Sequence, residues 1–166
     1  DKVIMGEKLN RKPSNEERRR IAIHESGHAL ISEHFNPNSV STITITSRGQ
    51  ALGYIRQIPD DDMYLYTKQY LQSQIAVALA GAVAEEVVLG DSSTGASSDF
   101  EQATNIAKKM IFSGMSELNI VDKDSLPSEK LHKAISDILS EQKTAVKKLI
   151  EEKINLLTSL VDYLME

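Results

Sequence analysis

The sequence contains no cysteine, which excludes disulfides, cysteine nucleophiles and thiolate metal sites, so any bound metal must be held by imidazole and carboxylate. It also lacks a basic stripe: 19 Lys and Arg are scattered among 24 Asp and Glu for a net charge of −5. Nucleic acid is therefore not an expected partner. Long hydrophobic runs are missing too. The longest uninterrupted one, Ile75 to Ala84, is about half of what a bilayer span requires, and the N-terminus has no charged-then-apolar signal pattern, so this segment is expected to be soluble. There is no internal repeat, low-complexity tract or Walker-type glycine loop, so nucleotide binding is not a property expected of these residues. A chain opening at Asp1 reads as part of something longer, with a membrane anchor or partner domain expected outside it.

What is present suffices for a core: 166 residues at 40% hydrophobic content fit one domain, 1–166, with a catalytic core at 13–117 and a helical extension at 128–166. Pro13-Ser14-Asn15-Glu16-Glu17 is a capping-box signal with Ser14 as N-cap, and it predicts a helix to about Phe35, where Asn36-Pro37 stops it. Val40 to Thr46 alternates with β-branched residues, and a second run, Leu52 to Ile58, ends at Pro59, which predicts a small sheet. An Ala-rich helix is expected from about Thr67 to Leu89, closed by Gly90. Ser98-Asp99-Phe100-Glu101 reads as a second capping box, starting a helix to about Phe112 with Asp99 in its first turn. From Ser128 two helices follow, one carrying Leu131, Ile135, Ile138 and Leu139, the other Val146 to Leu164. The expected fold class is mainly α with a small β-sheet, that is, α+β.

His24-Glu25-Ser26-Gly27-His28 is an HExxH pentapeptide in the middle of the first predicted helix. Residues four apart stand one turn above each other, so both imidazoles project from one face toward a single cation, with Glu25 about 100° round the helix. In that arrangement zinc lowers the pKa of a bound water towards 7, and Glu25 can accept its proton as it attacks a polarised carbonyl. A chance coincidence on a helix is the bland alternative, yet shuffling this composition would give such a pentapeptide only once in about 100 arrangements.

Two histidines do not complete a catalytic zinc site. His34 is rotated about 120° away from the ligand face, and His132 stands alone in a polar linker; both read as surface residues. Asp99 is attractive because the first turn of a helix stabilises negative charge. Glu85 and Glu86 rival it, as carboxylates on an otherwise apolar helix that need a partner and could act as ligand or as support to a zinc histidine. The residues alone favour Asp99 only slightly.

Four stretches in order, His24-Glu25-Ser26-Gly27-His28, Arg48-Gly49-Gln50-Ala51-Leu52-Gly53-Tyr54, Ala80-Gly81-Ala82-Val83-Ala84-Glu85-Glu86 and Ser93-Thr94-Gly95-Ala96-Ser97-Ser98-Asp99, resemble the peptidase domain of the FtsH-type membrane-anchored AAA+ metalloproteases. The resemblance covers about Glu17 to Glu117 well and the C-terminal helices more loosely. It implies zinc held by His24, His28 and Asp99, with Glu25 as base and Glu85 as a supporting residue near the metal. It implies a substrate cleft flanked by the strand Thr42, Ile43, Thr44, Ile45 and Thr46, where an extended peptide adds to a sheet edge. It further implies unfolded or membrane protein substrates fed by an AAA+ ATPase domain outside this segment, a homohexamer, and a place at the cytoplasmic face of a bacterial inner membrane, an organelle membrane being the alternative. Ser26 stands where alanine is usual, Ser98 for asparagine, and Ala80 and Val83 where glycine and arginine are common; none is a proposed ligand. The segment Met115 to Ser128 reads as shorter than its counterpart, at the cleft rim and subunit contacts. Two further readings compete: a catalytically silent assembly or substrate-receptor module of the same fold, and an ATPase-independent zinc peptidase with Glu85 as third ligand.

Overall fold

The computed structural model describes residues 13–44, 54–57 and 65–166. Helix α1 spans Asn15–Phe35. The expected capping box starts it: the Glu17 N–H donates to Ser14 Oγ at 3.1 Å, and the Ser14 N–H donates to Glu17 Oε1 at 3.3 Å. Two free donors at the helix start are satisfied in this way. The helix ends at Asn36, before Pro37, and Glu33 organises the exit by accepting from the N–H groups of Asn38 (2.6 Å) and Val40 (2.9 Å). The chain then enters strand β1, Val40–Thr44, which runs antiparallel to β2, Tyr54–Gln57, with Ile43 opposite Ile55 and an irregularity between Val40 and Thr42.

Helix α2, Lys68–Leu89, begins at an N-cap Thr67 whose hydroxyl accepts from the Tyr70 N–H, and ends at Gly90 in the left-handed region at φ 89°. That conformation is open to glycine at little cost. A single 3₁₀ turn, Thr94–Ala96, leads into α3, Ser97–Phe112. Helices α4, Ser128–Glu152, and α5, Ile154–Met165, complete the chain. Helix α2 is the centre, packed against α1, α3 and α4, while α5 lies on α1. Its length and composition would also suit a membrane span; here the apolar surface is consumed by the core, with Ile75, Ala76, Ala80 and Ala84 fully buried.

The α+β expectation is corrected to an all-α fold. Every residue of the buried hydrophobic cluster lies on α1 to α5, from Ile23 and Ile31 through Ile75 and Met110 to Ile150 and Leu157. The strand pattern was real, but among the described residues it yields only a two-stranded ladder. Two strands offer too little surface to form a layer of their own. Two boundaries also shift. Helix α3 starts at Ser97 without a side-chain cap; the cap lies earlier, where Ser93 Oγ accepts from the Gly95 N–H at 3.3 Å to start the 3₁₀ turn. The C-terminal break falls at Lys153, so Val146, Leu149 and Ile150 belong to α4, as does His132, which is exposed on that helix rather than in a linker. Neither glycine nor proline marks this break, and the apolar stripe runs through it. The acidic run Asp60-Asp61-Asp62 lies outside the described residues.

Candidate metal centre

The middle of α1 is buried from Ala22 to Ser32, and this presses the pentapeptide against α2. Two glycines make the approach close. A Cβ on Gly27 would fall 2.6 Å from both the Ala80 carbonyl oxygen and the Ala84 Cβ, and one on Gly81 would fall 2.5 Å from His24 Nε2.

His24 and His28 stand one turn apart with their rings 4.7 Å between centroids, edge to face. Their Nε2 atoms are 3.0 Å apart, and Asp99 Oδ2, from the first turn of α3, lies 2.9 Å from the first and 3.1 Å from the second. Three atoms about 2.0–2.2 Å from a tetrahedral ion lie roughly 3.3 Å from one another, so this triangle has the size of one face of a zinc site. The donor types agree, two imidazoles and one carboxylate. The outer nitrogens are also committed: His28 Nδ1 donates to the Val77 carbonyl oxygen at 2.7 Å, and His24 Nδ1 to Glu85 Oε2 at 2.7 Å. A carbonyl can only accept, so neutral His28 carries its proton on Nδ1 and presents an Nε2 lone pair to the centre.

Charge in the site is arranged around these bonds. Burial opposes protonation of His24, but hydrogen bonds to Asp99 and Glu85 outweigh it and raise its pKa to about 9. Burial would raise Asp99 and Glu85, yet hydrogen bonds to His24 and His28 hold Asp99 well below the usual carboxylate range, and those to His24 and Arg20 lower Glu85. Glu25, also buried, is shifted the other way: burial raises it, only partly offset by His28 and His24. A buried carboxylate with raised proton affinity beside two imidazoles is equipped to take up a proton.

The rivals separate cleanly. Glu85 points inward to His24 and is fully buried, whereas its neighbour Glu86 pairs with Lys143 at 3.3 Å on the α4 side. His34 and His132 are exposed and do not belong to the His24, His28 and Asp99 cluster. Of the strand residues, Thr42, Ile43 and Thr44 lie on β1, paired to β2; Ile45 and Thr46 lie outside the described residues. Sequence reasoning missed Arg20, whose guanidinium reaches Glu85 and Asp91. Its position four residues before His24 places it on the same helix face, but its partners lie 65 and 71 residues away.

A profile of peptidase family M41 matches residues 11–166. The chain belongs to this family. It is an FtsH-type peptidase domain. It is 37% identical over its whole length to the ATP-dependent zinc metalloprotease FtsH 2 of Thermoanaerobacter sp., of which the match spans 34%. It is 38% identical over its whole length to FtsH 2 of Phytoplasma mali, spanning 26% of that protein. To the ATP-dependent zinc metalloprotease FtsH of Thermobaculum terrenum it is 46% identical over 67% of its length, or 17% of the relative. The M41 chain thus spans between 17% and 34% of the length of these relatives. Zinc, named in all three, fits the nitrogen and oxygen donors at His24, His28 and Asp99.

Proposed function

We propose that this M41 chain is the endopeptidase module of an ATP-dependent protease acting on unfolded or membrane polypeptides, with zinc held by His24, His28 and Asp99. The observation that carries the reading is the convergence of two Nε2 atoms and one carboxylate oxygen within 3.1 Å of one another. Zinc supplies Lewis acidity toward the scissile carbonyl and toward water. Glu25 accepts a proton from the attacking water as its oxygen bonds to the carbonyl carbon, then delivers that proton to the amide nitrogen as the C–N bond breaks. It ends ionised, ready for the next turnover. Its burial and raised pKa suit the acceptor role. Glu85 orients His24 through Nδ1, and Val77 does the same for His28.

Strand β1 serves as the edge on which an extended substrate pairs through its main chain, which accepts many sequences. Support comes from its tether to α1, through Glu33 to the Asn38 and Val40 N–H groups and through Ser32 Oγ to Ser39 Oγ at 3.0 Å. In keeping with the ATP dependence in its relatives' names, the module works with an AAA+ ATPase domain outside these residues; the FtsH-type resemblance further implies a homohexamer at a membrane surface.

The deciding experiment is Glu25→Gln. Zinc content should stay near one per chain while cleavage of an unfolded protein such as casein falls about 10²- to 10⁴-fold. Intact cleavage would show the assigned base to be wrong. Zinc binding without cleavage by the unaltered full-length protein would favour the silent receptor module. Asp99→Ala should strip zinc far more than Glu85→Ala; the reverse order would make Glu85 the third ligand.

A further inference from the structure

Arg20 lies one turn before His24 on α1, and its guanidinium is forked between two segments. Nη1 donates to Glu85 Oε1 at 2.7 Å and to the Asp91 carbonyl oxygen at 3.2 Å, while Nη2 donates to Asp91 Oδ1 at 2.8 Å. Glu85 is fully buried, and its other oxygen, Oε2, accepts from His24 Nδ1. One carboxylate is therefore shared between a guanidinium and an imidazole. Asp91 opens the segment that leads through the 3₁₀ turn at Thr94–Ala96 to Asp99. A single side chain thus touches both the residue that orients His24 and the segment that delivers Asp99.

We propose that Arg20 is a positioning residue for the metal centre: it keeps Glu85 aimed at His24 and ties the 91–96 segment to α1, so that the His24 and Asp99 donors meet at a fixed distance. A buried carboxylate is costly without a compensating charge and several hydrogen bonds, and neutral His24 supplies only one N–H. Arg20 supplies the compensating charge, and the Ser93 side chain adds a further hydrogen bond. Lysine cannot substitute fully, because one ammonium lacks the rigid fork that spans two acceptors. The Asp91 side chain is 72% exposed, so its ion pair alone would add little. What matters is the coupling through Glu85 and through the Asp91 main chain. This inference rests on the zinc reading above.

The test is zinc affinity, measured by competition with a chromophoric chelator, for the unaltered chain and for Arg20→Met, Arg20→Lys, Asp91→Asn, Glu85→Gln and the Arg20→Met/Glu85→Gln pair. Melting of each metal-free protein is followed in parallel. Arg20→Met should weaken zinc binding about 10- to 100-fold, with Arg20→Lys recovering only part of that loss. The double variant should lose less than the product of the two single losses, because Arg20 and Glu85 share the path to His24 while only Arg20 also holds the Asp91 segment. A purely structural arginine would lower the metal-free melting point and leave zinc affinity within about twofold of the unaltered chain; that result overturns the inference, as does a double variant whose losses multiply. If Arg20→Met fails to fold, Arg20→Lys decides in the same way, an affinity within about twofold being the overturning result. Should the unaltered chain take up no zinc, or keep it after His28→Ala, the zinc reading itself fails and the inference with it.

Discussion

A methyl group on Gly81 would fall 2.5 Å from Nε2 of His24, so this glycine is the floor beneath the imidazole. Gly27, across the same helix pair, faces backbone instead: its Cβ would meet the Ala80 carbonyl oxygen and the Ala84 methyl group, both at 2.6 Å. The two alanine substitutions should therefore fail differently. In Gly81→Ala the ring must move, while alanine adds up to about 1 kcal/mol of helix propensity, so the chain stays folded and zinc affinity drops about tenfold or more. Gly27→Ala forces α1 and α2 apart, which costs about 1–3 kcal/mol by overpacking. Chelator competition and thermal melting on both variants separate the outcomes, and equal effects on both readouts would contradict the distinction.

Ser26 is fully buried, and among the described residues its hydroxyl finds no hydrogen-bond partner. Burying such a group costs about 1–3 kcal/mol by mutational measures. Ser26→Ala should remove that cost and raise stability by about 1 kcal/mol, which is about 2–4 °C in melting temperature for a chain of this size. Zinc content should not change. A fall in melting temperature would mean that the hydroxyl is satisfied in solution.

Much of this was legible because local signals acted alone. Ser14 and Glu17 cap α1 within four residues, Gly90 closes α2, and the pentapeptide needs only helical geometry to set its two imidazoles on one face. What depended on packing was not. Glu85 and Glu86 are adjacent and about 100° apart on α2, and only the docking of α1 on one side and α4 on the other decides which turns inward. Arg20 finds its partners 65 and 71 residues away, a distance no local pattern encodes. The cap expected at Ser98 is replaced by Ser93, because the chain enters α3 through a 3₁₀ turn that continues straight into the helix. The strands were visible as alternation, but alternation does not reveal how many strands pair, and two are too few to make a layer.

The C-terminal helices share the core that supports the candidate metal centre. Val146, Ile150 and Leu157 are fully buried in the same cluster as Ile23 and Ile31 of α1. Leu157→Ala should cost about 2–5 kcal/mol. A chain ended after residue 127 should lose cooperative unfolding altogether, since α1 and α2 would then expose the faces that α5 and α4 cover. Circular dichroism melting checks both; a sharp transition in the shortened chain would show that 13–127 folds by itself.

The metal-free chain should also respond to pH through His24. Its folded pKa of about 9 stands above the ordinary 6.5, because hydrogen bonds to Asp99 and Glu85 outweigh the opposing burial. The folded state therefore holds this proton more tightly than the unfolded state. Its contribution to stability is complete below about pH 6.5 and is lost as pH rises through about 9. Asp99 behaves oppositely: held below its ordinary 3.8, it contributes above that pH and loses its contribution in acid. With chelator present, melting temperature should fall between about pH 6.5 and 9, and His24→Gln should flatten that slope. On the proposed ligation, zinc and the proton would compete for His24 Nε2, so zinc uptake should release protons and tighten with pH across this window. Calorimetric titration in buffers of different ionisation enthalpy measures that release, and binding without it would mean that His24 is already neutral in the folded chain.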